Sequence, residues 1–140
     1  MSKIAFTVLG DPTPQGSMRG IVTKSGKVVL KSDNPKMRPW RWQVGWEALR
    51  ARGDAGCHEL FARRHVPVRL SMVFFIAPPQ SKPKDRTLPA VKPDLDKLCR
   101  AVFDACKGIL WLDDGQIVEM GDVRKVYGLP ARAEITVEIL

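Results

Sequence analysis

The residues that decide the fold are Val66–Ala77, which read VPVRLSMVFFIA. Every second residue from Val66 to Ile76 is apolar, which is the pattern of a β-strand with one buried face. The opposite face begins with Arg69 and Ser71 and then becomes apolar, so we expect its far end to be covered as well. This is the strongest strand signal in the chain, and it predicts the centre of a sheet.

The segments on either side predict a mixed sheet covered by two helices. Alternating or β-branched residues predict further strands over about 3–9, 17–23, 27–31, 116–127 and 132–139, with a bulge at Gly121. Helical periodicity predicts helices over about 36–51 and 95–107. The order β-β-β-α-β-α-β-β is typical of an α/β protein of the α+β type. We expect a single domain that spans residues 1–140.

The helices also predict which side chains are buried. On the first helix, Trp42, Trp46 and Leu49 repeat at helical spacing and are expected to face the core. The apolar stripe of the second helix consists of Leu95, Leu98, Val102 and Ala105. For Trp40 the sequence leaves packing and base stacking equally open, whereas core or dimer packing is favoured for Trp111.

Composition narrows the class of protein. The 140 residues are 44% hydrophobic and 27% charged, which excludes wholesale disorder, and no apolar run is long enough to span a bilayer. The first residues do not form a signal peptide, so we expect a cytoplasmic protein. Three cysteines without CxxC spacing argue against a disulfide framework. Cys57, His58 and His65 lack a fourth partner, so a zinc site is not predicted.

The net charge of +8 predicts a polyanionic partner, and nucleic acid is the first candidate. This charge is unevenly spread along the chain. Residues 1–52 hold 10 basic and 3 acidic groups, residues 53–100 hold 9 and 5, and residues 101–140 hold 4 and 7. The first two-thirds is therefore basic and the last third acidic. The basic residues that we expect to contact the DNA backbone are Lys24, Lys27, Lys31, Arg38, Arg41, Lys82, Lys84, Arg86, Lys92 and Lys97.

Two acidic pairs flank the second predicted helix. Asp94 and Asp96 lie at its start, where carboxylates often only cap a helix or face its dipole. Asp113 and Asp114 follow it, and a strand that ran back beside the helix would bring them within reach of the first pair. Carboxylates gathered in a basic protein suit Mg²⁺ or Mn²⁺, and such an ion beside a basic surface is typical of phosphodiester hydrolysis. Arg100 is placed to contact a scissile phosphate.

The stretch KPDLDKLCRAVFDACKGILWLDDGQIV, which begins at Lys92, closely resembles the core of the RusA family of Holliday-junction resolvases. That family carries a D-x-D-N-x-x-K helix start followed by a W/Y-x-D-D-x-Q-[IV] turn. The match extends to about Lys125. Lys97 replaces the family's Asn and Arg100 replaces its Lys, and an Arg binds phosphate but is a poor proton donor.

The resemblance implies a function and a set of residues. Its metal-binding acids fall on Asp94, Asp96 and Asp114, with Asp113 beside them, and its essential basic residue falls on Arg100. It implies a homodimeric endodeoxyribonuclease that requires Mg²⁺, for which Mn²⁺ can substitute, and that nicks opposite strands of a four-way DNA junction in recombination or repair. It also implies a phage or bacterial source and no small-molecule cofactor.

Three alternatives stay open from the sequence. In the first, the chain is a structure-selective DNA-binding protein with weakened catalysis, and the replacements at Lys97 and Arg100 mark the loss of activity. In the second, it is a nuclease of the PD…(D/E)-x-K type that uses Asp94 and residues 122–124, although Arg124 stands in place of the lysine. In the third, it is not an enzyme, and its acidic residues merely cap a helix.

Overall fold

The computed structural model describes residues 3–15, 18–32, 37–56 and 63–140. The elements are β1 (Lys3–Leu9), β2 (Met18–Val22), β3 (Val28–Ser32), α1 (Met37–Ala55), β4 (Val68–Ile76), α2 (Leu95–Cys106), a 3₁₀ turn (Asp114–Gln116), β5 (Ile117–Tyr127) and β6 (Arg132–Ile139). This order confirms the predicted fold class. α1 runs four residues past its predicted end, because the glycine that terminates it is Gly56, with φ 65°, and not Gly53.

The main sheet has four strands in the order β1-β6-β4-β5, and β2 and β3 form a separate antiparallel hairpin. β6 pairs antiparallel with both β1 and β4, while β4 and β5 are parallel. A parallel pair cannot be joined by a tight turn, so the chain crosses over through α2. This crossover runs α2 back from the end of β4 to the start of β5.

The β4–β5 pairing slips where the sequence predicts a bulge. Leu70 pairs with Met120 and Met72 with Val123, so the intervening residues of β5 are out of register. A side chain on Gly121 would collide with the hydroxyl of Ser71. The bulge at Gly121 is therefore confirmed, and any larger residue there would require the Ser71 hydroxyl to rotate away.

The core lies between the sheet and the two helices. Its largest fully buried side chains include Trp111, Phe74, Leu70, Met72, Leu98, Leu110 and Ile135. α2 buries Leu98, Ala101, Val102 and Cys106, so its predicted stripe is correct at its centre and shifted at its ends. Among the described residues, no helix is long and apolar enough to cross a membrane.

The predicted buried face of α1 is wrong. Trp42 and Trp46 are 70% and 67% exposed, and Leu49 is 41% exposed, whereas Trp40 is buried with Val44 and Ala48. Both sets of residues have helical spacing. In the buried set, the residues that follow Trp40 are the small Val44 and Ala48, whereas the exposed set continues with Trp46 and Leu49. At Gly45, on the α2 side, a Cβ would lie 3.3 Å from the carbonyl oxygen of Ala105, so the two helices meet too closely for the Trp46 stripe.

Candidate functional site

The first acidic pair lies at the start of α2 and is open to solvent. Asp94 occupies the N-cap position, but its side chain makes no capping hydrogen bond. Its Oδ2 lies 3.8 Å from Lys97 Nζ, and Oδ2 of Asp96 lies 4.0 Å from Arg100 Nη2. The Asp94 and Asp96 side chains are 50% and 67% exposed. Exposed pairs at these distances contribute little to stability, so both carboxylates remain free to bind a ligand.

Two other parts of the fold hold this helix start in place. Lys125 on β5 donates from Nζ to the carbonyl oxygens of Val91 and Pro93, at 2.7 Å for Pro93, directly before Asp94. The backbone N–H of Gln15 donates to the carbonyl oxygen of Lys97 at 3.0 Å. The loop that carries Asp94 is thereby attached to the far end of β5 and to the segment after β1.

The second acidic pair lies in the 3₁₀ turn before β5 and is held by hydrogen bonds. The backbone N–H of Gly115 donates to Asp113 Oδ1 at 3.2 Å, so Asp113 caps the turn. The indole Nε1 of Trp111 donates to Asp114 Oδ1 at 2.9 Å. Trp111 is fully buried and meets Phe103 edge-to-face, with ring centroids 6.1 Å apart. The orientation of Asp114 is therefore fixed from within the core.

Gln116 ties this turn to the segment that precedes β4. Its Oε1 accepts from the backbone N–H groups of Leu112 and Asp113 at 2.8 and 3.0 Å. Its Nε2 donates to the carbonyl oxygens of Arg63 and Val66 at 3.2 and 3.0 Å. All four hydrogen-bonding positions of the buried amide are thus used. No role for Gln116 follows from spacing alone; the signal for it is the Gln in the W-x-D-D-x-Q motif.

The structure does not bring the two acidic pairs together within one chain. α2 has twelve residues, a rise of about 18 Å, with Asp94 and Asp96 at its start and the Asp113–Asp114 turn beyond its end. The chain turns back at 107–111 without forming a strand that runs back beside α2, so the condition under which the two pairs would meet is not fulfilled. Within residues 3–15, 18–32, 37–56 and 63–140, no three His, Cys, Asp or Glu side chains form a group that could hold a metal ion. The described residues of one chain therefore do not fit a three-carboxylate Mg²⁺ site.

The basic residues predicted to contact DNA lie on separate elements. Lys24 and Lys27 are exposed at the β2–β3 turn, and Arg41 is half-buried on α1. The side chains of Lys31 and Arg38, like Cys57 and His58 as a whole, lie outside the part of the chain that the structure describes.

The loop after β4 is ordered by its own side chains. Lys82 donates from Nζ to the carbonyl oxygens of Pro83 and Arg86 at 3.2 and 2.8 Å, and lies 5.6 Å from the ring centroid of Tyr127. Lys84 and Lys92 are exposed, and Arg86 is half-buried. Lys82 thus has contacts within the loop, whereas Lys84 and Lys92 are open to a ligand.

The thiols on α2 differ in environment. Burial raises the pKa of Cys106 to about 12. Burial, and then the nearby charge of Asp96, raise the pKa of Cys99 to about 11. Both thiols therefore stay protonated at neutral pH.

Comparison with known proteins places the chain in a family. The sequence model of the family described as "Endodeoxyribonuclease RusA" matches residues 11–138. The chain is also similar to "Uncharacterized protein YqaN" of Bacillus subtilis (strain 168), with 29% identity over 140 residues, which cover 98% of this chain and 96% of that protein.

Proposed function

The chain belongs to the RusA endodeoxyribonuclease family, and from this we propose that it resolves four-way DNA junctions by paired, Mg²⁺-dependent nicking. The observation that carries the proposal is the pair of acidic turns that flank α2. Asp94 and Asp96 are exposed and not used for capping, and Asp114 is oriented by Trp111. The interpretation of all four acids as mere helix caps fits only Asp113.

The residues proposed for the reaction have distinct roles. Asp94, Asp96 and Asp114 are the proposed metal-binding acids, with Asp113 beside them, and Arg100 contacts the scissile phosphate. The Arg100 side chain is 68% exposed and lies one turn beyond Asp96, so its planar guanidinium is accessible to a phosphate. A divalent ion supplies charge neutralisation and an activated water to phosphodiester hydrolysis. The described residues of one chain do not supply its ligands alone.

We therefore propose a homodimer in which each site draws on two chains. The two acidic turns lie at opposite ends of the β4–α2–β5 crossover, so an antiparallel approach of two copies places unlike turns side by side. A two-fold arrangement forms two such sites at once. Two sites match a reaction that cuts two strands of a nearly two-fold substrate.

The function is tested with a synthetic four-way junction and a linear duplex of the same sequence. Each is incubated with the protein in Mg²⁺, in Mn²⁺ and in EDTA. We expect paired nicks in the junction that require the metal and that Asp96→Asn abolishes while junction binding persists. Junction binding without cleavage in either metal would contradict the nuclease and favour the DNA-binding alternative, for which the proximity of Lys97 to Asp94 is the supporting observation.

The shared site is tested by mixing two inactive variants, Asp96→Asn and Asp114→Asn, after co-refolding. If each site takes Asp96 from one chain and Asp114 from the other, the mixed dimer contains one intact site and regains single-strand nicking. If both acids come from the same chain, each site of the mixed dimer has one defect and nicking stays absent. Sedimentation of the wild-type protein at micromolar concentration checks the dimer independently.

A further inference from the structure

We propose that Arg64 and His65 form a contact for the phosphodiester backbone of DNA, beside the Asp113–Asp114 turn. This inference rests on the proposed function, because it takes DNA as the ligand. Neither residue belongs to the hairpin, α1 or loop groups of basic residues that the sequence predicts. The two residues precede β4 and are exposed to solvent.

The two residues share a cavity with the acidic turn. It has a volume of about 430 Å³, and its lining includes Arg64 and His65 together with Asp113, Gly115 and Gln116. A guanidinium and an imidazole N–H are both donors to a phosphate oxygen, and an Arg can donate two parallel hydrogen bonds. Arg64 and His65 in this cavity therefore suit a strand phosphate next to the proposed cutting site.

The backbone of His65 supports a role for its side chain. Its φ is 66°, and among the described residues it is the one non-glycine residue with positive φ. Glycine adopts this conformation with less strain, so the imidazole is carried at a position where a side chain is unfavourable. Strained conformations of this kind concentrate at sites that bind ligands.

Gln116 fixes this turn relative to the acids. Its Nε2 donates to the carbonyl oxygens of Arg63 and Val66, on either side of the two residues, while its Oε1 accepts from Asp113 N. One buried amide thus sets the spacing between the basic turn and the acidic turn. A phosphate held by Arg64 and His65 would accordingly lie at a fixed distance from Asp113.

The experiment measures junction binding in EDTA, with a fluorescently labelled four-way junction at several salt concentrations. The variants are Arg64→Ala and His65→Gly, and the control is Arg50→Ala, which removes one exposed charge from α1. We expect Arg64→Ala and His65→Gly to weaken binding about 3- to 10-fold. The slope of log Kd against log salt should fall by about one for Arg64→Ala. Arg50→Ala should change binding by less than about twofold.

Thermal unfolding separates binding from folding. His65→Gly should unfold at the same or a higher temperature than the wild type, because glycine relieves the positive φ, so its weaker binding cannot come from a damaged fold. If both variants bind the junction as Arg50→Ala does, this inference is overturned and the proposed function still stands. A wild-type protein that binds no DNA contradicts the proposed function itself.

Discussion

The two acidic pairs of this chain have the same composition and opposite surroundings. Asp113 and Asp114 are held by a backbone amide and by the indole of a buried tryptophan, and Gln116 fastens their turn to the segment before β4. Within the described part of the chain, the carboxylates of Asp94 and Asp96 have only long, exposed ion pairs, with Lys97 and Arg100. The difference lies in how far each pair is oriented by the fold: the Asp113–Asp114 pair is held in one orientation, whereas the Asp94–Asp96 pair is free to change its orientation.

The largest expected effect is on the exposed pair. Asp96→Asn should lower junction cleavage by about 10³-fold. The substitution removes a proposed metal-binding carboxylate, and the metal ion stabilises the charge that develops in the transition state. Its unfolding free energy should change by less than about 1 kcal/mol, since the interaction with the helix dipole and the long, exposed ion pair with Arg100 both contribute little. Gel assays of nicking and urea denaturation measure the two effects. A large loss of stability in Asp96→Asn would mean that the exposed acidic pair also holds the fold together.

The next effect is on the oriented pair. Gln116→Leu leaves four backbone groups without their partner, and a buried unpaired group costs about 1–3 kcal/mol. Because water can reach some of these groups, we expect a net loss of about 3 kcal/mol of unfolding free energy.

The matched control for this variant is Gln43→Leu on α1. Gln43 is exposed, and its side chain donates one hydrogen bond to the described residues, at the carbonyl oxygen of Leu9. It should lose less than about 1 kcal/mol in the same urea titration. Equal losses in the two variants would mean that the Gln116 network has no special weight.

A smaller effect is expected when the indole hydrogen bond alone is removed. Trp111→Phe keeps an aromatic ring beside Phe103 but cannot donate to Asp114. We expect a loss of about 1–3 kcal/mol from the missing bond and the smaller ring, with cleavage reduced and junction binding retained. The control Trp46→Phe, at a 67% exposed position, should alter neither. Unchanged cleavage by Trp111→Phe would show that Asp114 needs no such orientation.

The smallest effect concerns pH. The pKa values of Cys99 and Cys106 are raised from 9.0 to about 11 and about 12 in the folded chain. The stability that these protonated thiols contribute is complete below pH 9 and is lost as the pH rises from 9 through those values. Urea titrations from pH 8 to 11 should therefore show falling stability above pH 9.

The charge of Asp96 should have a measurable effect on the titration of Cys99. In Asp96→Asn, the pKa of Cys99 should move down, because the neighbouring negative charge is gone, although burial keeps it above 9. The rate of iodoacetamide labelling against pH measures this in a Cys57→Ser background. An unchanged pKa would mean that the Asp96 charge is already neutralised by Arg100.

The sequence predicted the order of elements because each strand and helix has its own local periodicity of apolar residues. It failed on the face of α1, since two stripes shared the same period and only the packing of Gly45 against α2 distinguishes them. For the site, the motif located the four acids, but the distance between them depends on how the chain returns after α2. Gln116 was not predicted as a network residue because two of its four partners, the carbonyl oxygens of Arg63 and Val66, lie in a segment that is distant in sequence.

The bulge at Gly121 has a consequence for solubility. β5 is an edge strand of the described sheet, and Val118 and Met120 are 62% and 43% exposed on it. A straight, apolar edge is a template for pairing with another chain and for aggregation. The slipped register interrupts the row of free backbone groups, and Glu119, Asp122 and Arg124 place charges along it. The glycine that lies against Ser71 thereby helps to prevent self-association of this protein through the edge of its sheet.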